Sequence, residues 1–198
     1  MAAWTIKNEK KMTLEEVRSV AADVQRRAKR SVNSKMNEVI FHLSTFAGIR
    51  ATEIANLKLK DIKLESGDKP FVHVENGKGG KTANVIIINP KTTLVLHKFI
   101  QDRIANSAND NDYLLVKTNG KQFNRHEIAL RFKSAIKSLP EHRVKELSVH
   151  CGRHTFASIM LQEAGLSLAA VRDNMRHTNI SVTNTYLHAE DIKPIDIF

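Results

Sequence analysis

The chain has 198 residues, 41% of them hydrophobic and 26% charged, which is enough apolar material to fill the core of one domain and too much for a disordered chain. Its 31 lysines and arginines against 21 aspartates and glutamates give a net charge of +10 and a pI near 9.8, so a polyanion such as nucleic acid is the natural partner, although ribosomal and membrane-surface proteins share that balance. The single cysteine, Cys151, excludes an intramolecular disulfide, and no apolar run approaches the roughly 20 residues of a membrane span, so the expectation is a soluble protein of a reducing cytoplasm.

Along the chain, Thr13-Leu14-Glu15-Glu16 is a capping-box signal, and Val17, Val20, Ala21 and Val24 follow it at helical spacing as far as the basic stretch Arg26 to Arg30. A second helix is expected from about Asn33 or Ser34, with Met36, Val39, Ile40, Leu43 and Phe46 on one stripe and Gly48 as the helix-ending residue. Arg50 then emerges just past a helix end, and a short helix from Ala51 to Leu57 carries Glu53 where it can face Arg50. Val72-His73-Val74 and Val85-Ile86-Ile87-Ile88 read as strands joined by the glycine-rich turn Asn76-Gly77-Lys78-Gly79-Gly80-Lys81, with Lys78 at its tip.

Helices are expected from Lys91 to Ala105 and from Asn124 to Lys137, the latter opened by the capping box Asn124-Arg125-His126-Glu127, with Tyr113-Leu114-Leu115-Val116 as a buried strand between them. Beyond Pro140 a helix from about Val149 to Ala164 closes at Gly165, and Ser167 caps another that runs to about Met175. The fold class is α+β, mostly α-helical with one small antiparallel β-sheet, in a single domain spanning 1–198 whose core is about 11–189 and whose tail is 190–198. The polar stretch Ala105 to Asp112 is short enough to be a loop within it.

The chemistry-bearing residues are Arg50, His150, Arg153, His177 and Tyr186. Two guanidiniums can clamp the oxygens of one phosphate, imidazoles can hydrogen-bond it, and a phenol can attack it, which together suit phosphoryl transfer through a covalent protein intermediate. Singly, each has a plain alternative: Arg50 as a surface partner of Glu53, Lys78 as a solvated turn lysine, Tyr186 as a surface-helix tyrosine. His150 and His154 share a helix face, but no glutamate lies between them and no ligand cluster accompanies them, so zinc is not expected there. Tyr113, the only other tyrosine, sits in an apolar stretch, and Cys151 reads as a small buried apolar residue.

Taken in order, these motifs resemble the catalytic domain of the tyrosine recombinases, also called the phage integrase family, from about Lys11 to Ala189. Gly-Ile-Arg-Ala-Thr-Glu-Ile looks like the first arginine motif and implies a catalytic Arg50 with Glu53 in support. Asn-Gly-Lys-Gly-Gly-Lys looks like the hairpin of the catalytic lysine, Lys78. His-Cys-Gly-Arg-His-Thr-Phe-Ala-Ser is similar to the second motif, implying His150 and Arg153, and Arg176-His177 with Asn179 to Tyr186 implies His177 and the nucleophile Tyr186. Gly152 stands where the family usually has leucine, which implies looser packing beneath Arg153, and Asn174 and Arg176 replace a usual leucine and glycine.

The resemblance implies double-stranded DNA as substrate, a 3′-phosphotyrosyl intermediate, strand exchange without ATP or a metal, and self-assembly on DNA from dimer to tetramer. Family members usually carry an N-terminal helical domain that clamps the other face of the DNA, and its absence here is part of the same expectation. A type IB topoisomerase, which relaxes DNA with closely related tyrosine chemistry, and a noncatalytic DNA-binding module are the alternatives.

Overall fold

The computed structural model describes residues 10–65, 69–75 and 82–163 and the single positions 165, 167, 171 and 175. Helix α1 (Leu14–Ala28) begins at the expected capping box: the Thr13 amide donates to Glu16 Oε2 at 2.8 Å, and the Glu16 amide donates to Thr13 Oγ1 at 3.1 Å. Its stripe of Val17, Val20, Ala21 and Val24 packs on α2 (Val32–Thr45), a helix buried from Met36 to its end because neighbouring helices cover it on several sides. Helix α3 (Ala51–Asn56) follows, then a single 3-10 turn at Leu59–Asp61.

The sheet has three antiparallel strands in the order β1 (Ile62–Lys63), β2 (Phe71–Val74) and β3 (Ala83–Ile86). Pairing of Val72 with Val85 and Val74 with Ala83 makes β2 and β3 the expected hairpin, whose glycine-rich connection, Lys78 included, lies outside the described residues. Ile87 and Ile88 are buried beyond the end of β3.

Helices α4 (Pro90–Ala105) and α5 (Arg125–Ala135) lie where periodicity placed them, α5 with its Asn124–Glu127 box intact. The expected strand at 113–116 is not one: Tyr113 makes an isolated bridge with Lys58 and Val116 another with Gln122, so the segment crosses from one partner to the next. Leu114 and Leu115 are nonetheless both buried, which is why the run reads as a strand. A six-residue helix, α6 (Glu141–Glu146), buries no side chain and so left no apolar pattern to read. It is held instead by Arg143, whose Nε donates to Glu16 Oε1 at 2.6 Å. Helix α7 (Val149–Gln162) closes the described fold, and Gly165 follows it with φ +64°.

One large core joins α1 to α5, the sheet and the start of α7, while a smaller one gathers Ile88, Phe156, Ala157, Met160, Val171 and Met175. Between α1, α2 and α4 runs a cleft of about 760 Å³ that includes Glu38 and His42 of α2. Burial pushes the Glu38 carboxyl up to about 7 against the opposing pull of Lys98 and Lys35. Burial likewise holds His42 down at about 3, with its Nδ1 2.9 Å from Thr92 Oγ1. No helix among the described residues is long and apolar enough to cross a membrane.

Candidate active site

The first corner of the site is built where α2 ends. Gly48 takes φ +61°, a left-handed conformation that reverses the chain, and the Ile49 amide donates back to Leu43 O at 3.0 Å while its side chain is buried. The next residue, Arg50, is the N-cap of α3. Glu53, three residues on, accepts from the Arg50 backbone amide at 2.8 Å with one oxygen and from Arg50 Nη1 at 2.9 Å with the other. One carboxylate thus caps the helix and aims the guanidinium. The Arg50 side chain is 22% exposed and the Glu53 side chain 4%, so the pair is anchored at its acidic end and open at its basic end.

The second corner is the first turn of α7, which carries His150 and Arg153 at helical spacing on one side. His150 ranks as exposed, and its ring meets that of His154 edge to face at 4.6 Å between centroids. Partial burial and then the charges of Arg153 and Arg50 hold its pKa below the ordinary histidine value. An imidazole kept neutral in this way can accept a proton. Arg153 of the same turn donates through Nη1 to Gly48 O, two residues before Arg50, so segments 105 residues apart in the chain meet at one locus.

Arg153 is held differently. Its side chain is among the largest that are fully buried. Nη1 donates to Gly48 O and Nη2 to Met175 O, two backbone carbonyls that lie 105 and 22 residues away in sequence. Charged donors satisfied by carbonyls are what allows a guanidinium to sit in the interior. Cys151, also buried, lies on the inner side of the same turn.

Gly152 corrects the expectation of loose packing. A Cβ built there would stand 2.9 Å from Ser44 Oγ and 3.2 Å from Phe132 Cε2, so the missing side chain lets α7 approach α2 and α5 closely. A leucine at this position would not fit against these neighbours.

Of the seven residues singled out, the structure brings together Arg50, Glu53, His150 and Arg153, whereas Lys78, His177 and Tyr186 lie outside the described residues, as do Asn174, Arg176 and most of the helix expected from Ser167 to Met175. Sequence reasoning missed the acceptors of Arg153. Backbone carbonyls carry no side-chain signature, and only the shared burial of Phe156 and Met175 hints at the contact.

The model of the phage integrase family matches residues 10–192. The chain belongs to that family. It is 32% identical over 156 residues to tyrosine recombinase XerC of Staphylococcus carnosus (strain TM300), covering 78% of this chain and 50% of that one. Among solved structures it is similar to the integrase from mycobacterium phage Brujita, with a TM-score of 0.69 at 22% identity over 100% of this chain and 61% of that one. It is also similar to XerH site-specific recombinase bound to difH substrate in a pre-cleavage complex, with a TM-score of 0.68 at 20% identity over 90% of this chain and 51% of that one. These two likenesses establish the integrase catalytic-domain fold. The chain spans about half the length of the curated relatives it matches.

Proposed function

We propose that this chain cleaves and rejoins double-stranded DNA in site-specific recombination, as a tyrosine recombinase. The observation that carries the reading is the contact of Arg153 Nη1 with Gly48 O, which sets the first turn of α7, with His150 and Arg153, against the segment that leads into Arg50, in a protein of charge +10. The family membership and the XerH structure's substrate complex support DNA as the substrate.

In the proposed reaction the Tyr186 hydroxyl attacks the scissile phosphorus, with His150 managing its proton. A 3′-phosphotyrosyl bond forms, and the 5′-oxygen leaves with a proton from Lys78. Arg50 and Arg153 neutralise the nonbridging oxygens as charge builds, and His177 adds a hydrogen bond. A second strand's 5′-hydroxyl then attacks the phosphotyrosine and frees the phenol. Phosphodiester bond energy is conserved in the intermediate, so the cycle is balanced without ATP, and these residues supply its acid, base and charge without a metal.

Assembly from dimer to tetramer on DNA belongs to the same proposal, as does a cytoplasmic setting. The tail Glu190 to Phe198 places Ile192, Ile195, Ile197 and Phe198 among charged or proline positions, and we assign it to contact with a neighbouring protomer. Deletion of Ile192 to Phe198 is expected to spare monomer binding and reduce strand exchange; unchanged recombination would refute that assignment.

A nicked suicide duplex tests the chemistry. Wild-type protein should form a covalent adduct that survives EDTA, and Tyr186→Phe should form none. Adduct formation followed only by rejoining of the same strand would indicate relaxation by a topoisomerase-like enzyme, and duplex binding without any adduct would indicate a noncatalytic module.

A further inference from the structure

We infer that Gly48 is a positioning residue for cleavage: its carbonyl and its bare α-carbon together orient Arg153 and lock the Met175 turn against the loop that carries Arg50. The inference rests on the proposed function for its catalytic consequence and on geometry alone for the coupling.

Three observations meet at this residue. Gly48 O accepts from Arg153 Nη1, while Nη2 of the same guanidinium donates to Met175 O. A guanidinium is planar with its donors in a fixed fork, so two acceptors on its two terminal nitrogens fix both the plane of the group and the distance between the acceptors. The acceptors are not arbitrary. Gly48 lies two residues before Arg50, and Met175 lies two residues before His177. One buried fork therefore ties together Gly48 and Met175, which precede Arg50 and His177 by two residues each in the sequence.

The third observation is the space around the α-carbon. A Cβ at Gly48 would stand 2.6 Å from Phe156 Cδ1, 3.2 Å from Phe156 Cε1 and 3.3 Å from Met175 Sδ. Phe156 and Met175 both belong to the small core with Val171 and Met160, so neither can withdraw without disturbing the packing of α7 on the Met175 turn. With φ at +61°, an L-residue here would also be strained. Alanine would thus push Phe156 and Met175 outward and pull the two carbonyls out of reach of one guanidinium.

A purely structural glycine would weaken the fold and leave Arg153 alone, so a double-mutant cycle separates the two roles. Adduct formation on the nicked duplex is measured at saturating protein for Gly48→Ala, Arg153→Ala and the double variant. Gly48→Ala should slow it by about tenfold or more with intact-duplex affinity changed less than about twofold, and should add less than about twofold in the Arg153→Ala background. Gly48→Ala/Phe156→Leu, which relieves the closest contact, should recover part of the rate. Multiplying losses in the double variant, or wild-type cleavage by Gly48→Ala, would overturn the inference.

A second arm does not depend on cleavage. In Arg153→Ala the amides of Ile49 and Met175, which donate to Leu43 O and Val171 O, should both exchange faster by about tenfold while α2 core amides such as Ile40 are unchanged. Faster exchange at Met175 with Ile49 unaffected would refute the coupling. If wild type forms no adduct while both amides respond, it is the proposed function that fails and the coupling that stands.

Discussion

Arg50 and Arg153 carry the same proposed charge to the same phosphate, yet the fold holds them by opposite means. Arg50 is tied to a side chain three residues away on its own helix and keeps a solvent-facing end. Arg153 is buried and tied to backbone carbonyls from two distant segments. The first is a local device in which a carboxylate aims a cation. In the second the cation itself organises the chain, because two acceptors from separate segments must come to it. Equal chemistry therefore does not mean equal structural cost, and substitution should expose the difference.

The largest effect expected is on cleavage and is shared. Arg50→Ala and Arg153→Ala should each slow adduct formation by on the order of 10² or more, the loss of a transition-state charge donor, with noncovalent DNA binding far less affected. A large inequality between the two rates would break the idea of a common role. Stability should then separate them. Lysine at position 50 can still reach Glu53, so Arg50→Lys should change unfolding stability by less than about 0.5 kcal/mol. Lysine at 153 offers one ammonium to two divergent carbonyls and should destabilise by about 1–3 kcal/mol, read from urea unfolding at neutral pH. Equal unfolding midpoints for the two lysine variants would refute the contrast.

A smaller test concerns the ground beneath Arg153. Gly152→Leu meets Ser44 and Phe132, so it should destabilise by about 1–3 kcal/mol through overpacking. Pairing it with Ser44→Ala should recover part of that loss, and no loss in the single variant would mean that α7 has room to shift.

The same contrast explains what could be read from sequence. Thr13 with Glu16, Asn124 with Glu127 and Arg50 with Glu53 are contacts over three residues, and each was legible because helix geometry alone brings them together. The β2–β3 hairpin was legible from alternation and its glycine-rich connection. Strand β1 leaves no signal because two residues carry no period, and α6 leaves none because its helix has no buried face. The stretch 113–116 reads as a strand because consecutive buried leucines mimic one when each neighbour pairs only once. The ties of Arg153 were invisible because their acceptors are backbone atoms brought near by the whole fold.

Glu38 and His42, one helical turn apart on α2, have a consequence for the proton inventory of folding. Between about pH 4.5 and 6.5 the unfolded chain carries this pair as carboxylate and imidazolium, whereas the folded helix, with Glu38 at about 7 and His42 at about 3, carries both neutral. Folding there takes up one proton and releases another, so the two contributions to the slope of stability with pH cancel. Below about 4.5 the histidine acts alone: the unfolded state binds the extra proton, and stability falls as pH drops toward 3. From 6.5 to about 7 the carboxyl acts alone: the native state holds the extra proton, and stability falls as pH rises. Burying two ionisable groups of opposite sign side by side thus gives α2 a plateau across mildly acid pH, with the electrical cost of each group moved to its edges.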